Sequence, residues 1–122
     1  MQPLVVWTEI PVTDLKASAD FYAKVFGWKM EITQMGPNEG VVFNGLTDDD
    51  EMTVGGHLYP GTPAAGTTLH LALPDSVEAG AERCTAAGGQ VMGPVIEIPQ
   101  GRFQYAADPD GNSIALFEMK AR

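Results

Sequence analysis

The chain carries two histidines, His57 and His70, and both stand in strand-like surroundings: His57 follows Gly55-Gly56, and His70 sits within Leu69-His70-Leu71. Glu9 is a carboxylate in a strand-forming segment, two residues from Trp7, and alternation along a strand puts both on one face. Two histidines and a carboxylate around an open position form the facial set of non-haem Fe(II) sites, and neutral imidazole also suits zinc or nickel. His57, His70 and Glu9 are therefore the candidate metal ligands. Glu9 and His70 are the candidate catalytic groups, Glu9 as general base and His70 as acid/base group or ligand. The competing reading is structural, because a single His on an apolar strand is more often a hydrogen-bonded core residue. Trp7 offers no ligand atom and can only shape a pocket. Trp7, Trp28, Phe43, Phe103 and Tyr105, with Tyr59, are candidates to line an apolar cup; the alternative is that most fill the core or a dimer interface.

Other chemistries lack their residues. There is no G-x-x-x-x-G-K segment and no G-x-G-x-x-G after a strand, so common nucleotide-binding designs have no support. Ser18 falls inside a helix, and neither His is placed beside it or beside Cys84, so a nucleophile with its base is not indicated. Cys84, the only cysteine, shares the apolar side of a helix with Val77 and Ala81 and reads as a buried, inert small residue. The acidic run Asp48-Asp49-Asp50-Glu51 lacks the Gly and spacing of a Ca²⁺ loop and reads as a solvated turn.

The elements that must hold these residues repeat. Residues 4–12 are rich in strand formers; Thr13 or Asp14 then caps a helix over 15–26, whose Leu15, Ser18, Ala19, Tyr22, Val25 and Phe26 form an apolar stripe ended by Gly27. Strands are expected at about 28–34, 41–46 and 52–58, with turns at Gly36-Pro37-Asn38 and Asp48-Asp49-Asp50. A Pro/Gly-rich connector runs from Tyr59 to Gly66, and the plan restarts. Residues 67–73 form a strand, Asp75 caps a helix with Glu78 as in a capping box, and Gly88-Gly89 ends it. Strands follow at about 90–98, 102–107 and 112–119. A shift of 61 residues places Asp14 on Asp75 and Gly27 on Gly88, giving helices of one length, and also Glu9 on His70, His57 on Glu118 and Val54 on Ala115. Gly80, inside the second helix, has no explanation at this level beyond close packing.

At 122 residues one domain is expected, with module one over about 1–59 and module two over about 67–122. The composition, 44% hydrophobic and 19% charged, is that of a globular protein without a membrane span. Residues 1–7 read as the start of a strand and not as a secretory signal, and a single cysteine permits no disulfide within the chain; cytoplasmic residence is the expectation. A formal net charge of −9 disfavours nucleic-acid or acidic-membrane partners.

Three stretches carry a family resemblance. They are Val12-Thr13-Asp14-Leu15 with Ser18, Phe21-Tyr22 and Val25-Phe26-Gly27-Trp28; Ala86-Ala87-Gly88-Gly89 with Val91; and Asp108-Pro109-Asp110-Gly111-Asn112 through Leu116. Together they span nearly the whole chain and resemble the vicinal oxygen chelate superfamily of glyoxalase I, bleomycin-resistance proteins and extradiol dioxygenases. The resemblance implies an α+β fold of two βαβββ modules forming a cupped mixed sheet with the helices outside. It also implies a small-molecule ligand and a homodimer, and leaves a divalent metal cofactor open. In metal-dependent members the first strand of each module supplies a His or similar ligand, and the last strand commonly a Glu. His70 stands in the first-strand position of module two. In module one that position falls on Trp7 counted from Asp14, or on Glu9 through the internal repeat. The last-strand positions fall on Ala115 and Val54, which bind no metal, and strand alternation turns Glu118 and His57 to the other face unless a bulge at Gly55-Gly56 intervenes. The expected function is a glyoxalase-like enzyme acting on a carbonyl or vicinal-oxygen compound, with or without metal assistance. The alternative is a metal-free small-molecule binding or sequestering protein of the bleomycin-resistance type.

Overall fold

A computed structural model describes residues 4–43 and 55–120. The acidic run at 48–51, Val54 and the predicted strand ends near 46 and 52 lie outside the described residues. The described residues form two α-helices, eight strands and a short 3-10 turn, an α+β arrangement in which β-α-β-β-β occurs twice. The chain divides into two compact units, Trp7–Thr67, and Thr68–Arg122 together with Met1–Val6. No helix among the described residues is long and apolar enough to cross a membrane.

The first unit contains β1 (Val5–Val12, from Trp7 onward), α1 (Leu15–Phe26), β2 (Ile32–Met35), β3 (Asn38–Phe43) and β4 (Gly55–Pro60). Its strands lie in the order β2-β3-β4-β1, with β1 parallel to β4 and the other pairs antiparallel. Asp14 caps α1 by accepting a hydrogen bond from Ala17 N–H at 3.0 Å, and Gly27 ends it in the left-handed region at φ 74°. Both ends match the sequence expectation. The apolar stripe is buried only in its first two turns: Leu15, Ala19 and Tyr22 pack with Val12, Val41 and Leu58, whereas Val25 and Phe26 are more than half exposed. The β2–β3 hairpin closes on Gly36-Pro37, with Met35 opposite Asn38. Gly36 has φ 68° and Pro37 cannot follow it to positive φ, which excludes a type I′ turn and leaves type II′.

The second unit contains β5 (Thr68–Ala72), α2 (Val77–Ala86), β6 (Gln90–Ile98), β7 (Gly101–Ala107) and β8 (Ser113–Met119). Its order is β5-β8-β7-β6, again with one parallel pair, β5 with β8. The N-cap of α2 is Ser76, whose Oγ accepts from Ala79 N–H, and not Asp75. Asp75 is occupied by a bidentate pair with Arg83, at 2.7 and 2.8 Å, so the adjacent hydroxyl takes the cap. The helices consequently differ in length, 12 residues against 10. The end of α2 is a Schellman motif: Gly88 N–H bonds Thr85 O, Gly89 N–H bonds Cys84 O, and Gly88 has φ 100°. Gly80 is explained by packing, since a Cβ there would lie 2.6 Å from Leu73 Cδ2.

Candidate functional site

Each helix covers one face of its unit's strands; the other face carries Glu9 and His57 in the first unit and His70 among aromatic rings in the second. In the first unit, Ile10, Val12, Val41, Phe43 and Leu58 face α1. Strand alternation therefore turns Trp7, Glu9, His57 and Tyr59 to the opposite face. The parallel register sets Glu9 directly beside His57, and Trp7 beside Gly55. Among the described residues this register runs through Gly55-Gly56 without a shift, so no bulge reorients His57.

Glu9 is buried, at 8% exposure, and its Oε1 lies 3.6 Å from His57 Nε2. The other ring nitrogen, Nδ1, accepts a hydrogen bond from the Trp7 indole N–H at 2.7 Å. Trp7 thus does more than shape a pocket. A neutral imidazole has one bare nitrogen. With Nδ1 engaged as acceptor, the proton of neutral His57 sits on Nε2 and is aimed toward the Glu9 carboxylate. Tyr59 follows on the same face, its ring 5.9 Å from that of His57. Burial, and secondarily the charge of Glu9, push the Tyr59 phenol above its ordinary value of 10.0, so it remains an O–H donor at neutral pH. Its place was readable from alternation, two residues beyond His57; the Trp7 bond was not, because it joins residues 50 apart.

Trp28 and Phe43, expected in the pocket, stack on each other at 5.0 Å on the α1 side, with Tyr22 and Phe26 against Trp28. In the second unit His70 is 3% exposed, and its ring meets Phe103, Tyr105 and Phe117 edge-on at centroid distances of 4.8 to 5.9 Å. Phe103 and Tyr105 therefore share the face of His70. The register partner of His70 on β8 is Ala115, fully buried. Glu118 is on the other face, where its Oε1 accepts from Val77 N–H at 2.9 Å and from Arg102 at 2.7 Å. This carboxylate fastens the start of α2 and, as alternation predicted, takes no part on the His70 face.

The registers also correct the internal repeat. If Glu9 corresponds to His70, the residue equivalent to Ala115 is His57, and neither Val54 with Ala115 nor His57 with Glu118 is the matching pair. The 61-residue shift holds for the first strands and fails by the last ones, because the segments between them differ in length.

A divalent metal is the cofactor that the resemblance leaves open, and the donor set as placed does not fit one. The Trp7 N–H occupies Nδ1 of His57, so Nε2 carries hydrogen and presents no lone pair. Ala115 supplies no ligand beside His70. Among the described residues no group of three or more His, Cys, Asp or Glu side chains is arranged to hold a metal ion.

Comparison with known proteins accords with this architecture. A Mycobacterium bovis protein described as a candidate glyoxylase, CFP32, is 27% identical over 116 residues, covering 92% of this chain and 44% of its own length. The chain thus spans less than half of that relative. A glyoxylase-like domain-containing protein of Didymella fabae is 28% identical over 119 residues, covering 88% of both. Among solved structures, a variant of Streptomyces coelicolor methylmalonyl-CoA epimerase bound to 2-nitronate-propionyl-CoA matches with a TM-score of 0.68. It is 18% identical and the match covers 96% of this chain and 97% of that one. A hypothetical protein from Bacillus halodurans C-125 matches with a TM-score of 0.70 at 12% identity, over 100% and 98%. The family model described as the glyoxalase/bleomycin resistance protein/dioxygenase superfamily matches residues 4–116, and the chain belongs to that superfamily.

Proposed function

We propose that the chain is a glyoxalase-like enzyme that moves a proton at a carbon beside a carbonyl or vicinal-oxygen group, with Glu9 as the base. The observation that carries this reading is the buried Glu9 carboxylate set 3.6 Å from an imidazole N–H. In the step, Glu9 takes the proton from carbon, and the C–H electron pair moves toward the carbonyl oxygen, leaving an enolate and a protonated Glu9. Return of the proton to the same carbon, or to its neighbour, restores the carboxylate. A separation of 3.6 Å exceeds hydrogen-bond length, so a substrate oxygen entering beside Glu9 would compete for the His57 Nε2–H and be stabilised by it. His70, expected from the sequence as an acid/base group, stands among Phe103, Tyr105 and Phe117 and has no part in this proposed step.

The second reading, a metal-free small-molecule binder, is favoured by one observation: Ala115 makes the strand position beside His70 apolar, among Phe103, Tyr105 and Phe117. Proton exchange separates the two readings. Methylmalonyl-CoA, and separately the thiol adduct of methylglyoxal, are incubated with the protein in D₂O while NMR follows loss of the C–H signal. Exchange by the wild type and not by Glu9→Gln supports the enzyme; tight binding without exchange supports the binder. We also propose a homodimer, for which the exposed Phe21, Val25, Phe26 and Trp28 at the end of α1 offer apolar surface. Light scattering should then give roughly twice the 13.0 kDa chain mass.

A further inference from the structure

We infer that Trp7 is a positioning residue: its indole N–H fixes the His57 tautomer so that the imidazole serves the Glu9 site as an Nε2–H donor and not as a base. The inference rests on the reading of Glu9 as the base.

The geometry carries it in three steps. The Trp7 Nε1 to His57 Nδ1 distance of 2.7 Å is short for an N–H···N bond, and an indole nitrogen can only donate. Nδ1 is therefore the acceptor, and the neutral ring holds its hydrogen at Nε2, the nitrogen nearer Glu9. The backbone then keeps the partners in register. Trp7 and Glu9 lie two apart on β1, His57 is the direct neighbour of Glu9 on β4, and Gly55, opposite Trp7, brings no side chain between indole and imidazole. The ring centroids of Trp7 and His57 are 6.0 Å apart at 38°, tilted and not stacked.

This arrangement divides the labour between two titratable groups. A second proton on His57 has to enter at Nδ1, and it can do so only by breaking the Trp7 bond. Among the described residues of this unit, Glu9 from β1 and Tyr59 from β4 are titratable groups facing His57, while β3 presents Val42 as its register partner.

Long-range ¹H–¹⁵N spectra of uniformly labelled protein at about pH 8, above the ordinary histidine range near 6.5, report which ring nitrogen carries hydrogen. The chain has only two histidines, and His57→Gln assigns them. The expected result is a single Nε2–H tautomer for His57 in the wild type and a mixture in Trp7→Phe. In the exchange assay Trp7→Phe should lower kcat about 10- to 100-fold with little change in KM, the scale of loss found for hydrogen-bond partners behind metal-bound imidazoles. A wild-type His57 with hydrogen on Nδ1, or a tautomer unchanged in Trp7→Phe, overturns the inference. If Trp7→Phe does not fold, the Trp7 indole proton resonance is compared between wild type and His57→Gln. A shift toward that of a solvated indole supports the bond, and an unmoved resonance overturns it. The two readings fail separately: a fixed tautomer in a protein that exchanges no substrate proton removes the enzymatic reading alone, and mixed tautomers in an exchanging protein remove the role of Trp7 alone.

Discussion

The indole N–H of Trp7 donates to Nδ1 of His57 across 2.7 Å, and this bond decides what the imidazole can do. It turns a residue that composition alone offers as ligand, base or core filler into a hydrogen-bond donor aimed along the strand pair at Glu9. In the enzymatic reading we propose, the base is the carboxylate, which is buried and carries no hydrogen-bond donor of its own when ionised.

Replacing Glu9 with Gln preserves shape and removes the proton acceptor. Loss of a general base typically costs 10²- to 10⁴-fold, so substrate C–H exchange in Glu9→Gln should fall by about that factor. Binding of the same substrate, followed by calorimetry, should change far less. Equal exchange rates in the two proteins would place the base elsewhere.

Tyr59 reports on the charge of Glu9. Burial is the larger reason that its phenol is held above 10.0, and the Glu9 carboxylate is the second. Glu9→Gln removes only the second. Ultraviolet difference titration, with Tyr59→Phe identifying the signal among the three tyrosines, should show Tyr59 ionising at lower pH in Glu9→Gln than in the wild type. An unchanged titration would mean that Glu9 is not ionised beside it.

Gly56 makes the contact between β4 and its neighbours. A Cβ at this position would meet the Thr8 carbonyl oxygen of β1 and lie 2.7 Å from Phe43 Cζ. The carbonyl is backbone and cannot rotate away, so Gly56→Ala should push β4 from β1. Overpacking of this kind costs about 1–3 kcal/mol, measurable by urea unfolding. Because His57 is the next residue, the same variant should weaken the Trp7 bond and broaden the His57 tautomer signal. A variant of wild-type stability would contradict the close approach.

The legible part of this molecule was local. Asp14 and Gly27 bracket α1 because capping and left-handed termination depend on residues three or four apart, and the β6 range likewise follows from its own composition. Asp75 misled because its side chain is spent on Arg83, a choice between two adjacent caps that depends on a residue farther along the same helix. The strand placement of Glu9, His57 and His70 was legible, and all three lie on faces turned from the helices. Its wiring was not legible. Which residue stands beside Glu9 depends on the β1–β4 register, set through a long segment of different length from its counterpart, and the 61-residue shift pointed instead to Glu118 for His57. Trp28 and Phe43 were read as pocket aromatics for a similar reason: aromatic residues give no sign of which face they take until their partners in the stack are known.

The acid limb of stability should depend on Glu118. Hydrogen bonding from Arg102, then from the Val77 N–H, holds its carboxyl below the ordinary value of 4.5, and Arg102 also binds Glu78. A carboxyl that ionises more easily folded than unfolded contributes stability above its unfolded value and loses that contribution as pH falls through the folded one. The window therefore opens at about pH 4.5 and extends downward, and Asp75, Glu78 and Asp108, all likewise lowered, add to it. Glu118→Gln keeps an acceptor for Val77 N–H but removes the charge for Arg102. Thermal unfolding from pH 7 to pH 3 should show a lower midpoint for the variant at neutral pH and a shallower decline on acidification, so that the two curves converge toward pH 3. Parallel curves would mean that the Arg102 pairing contributes nothing that titrates.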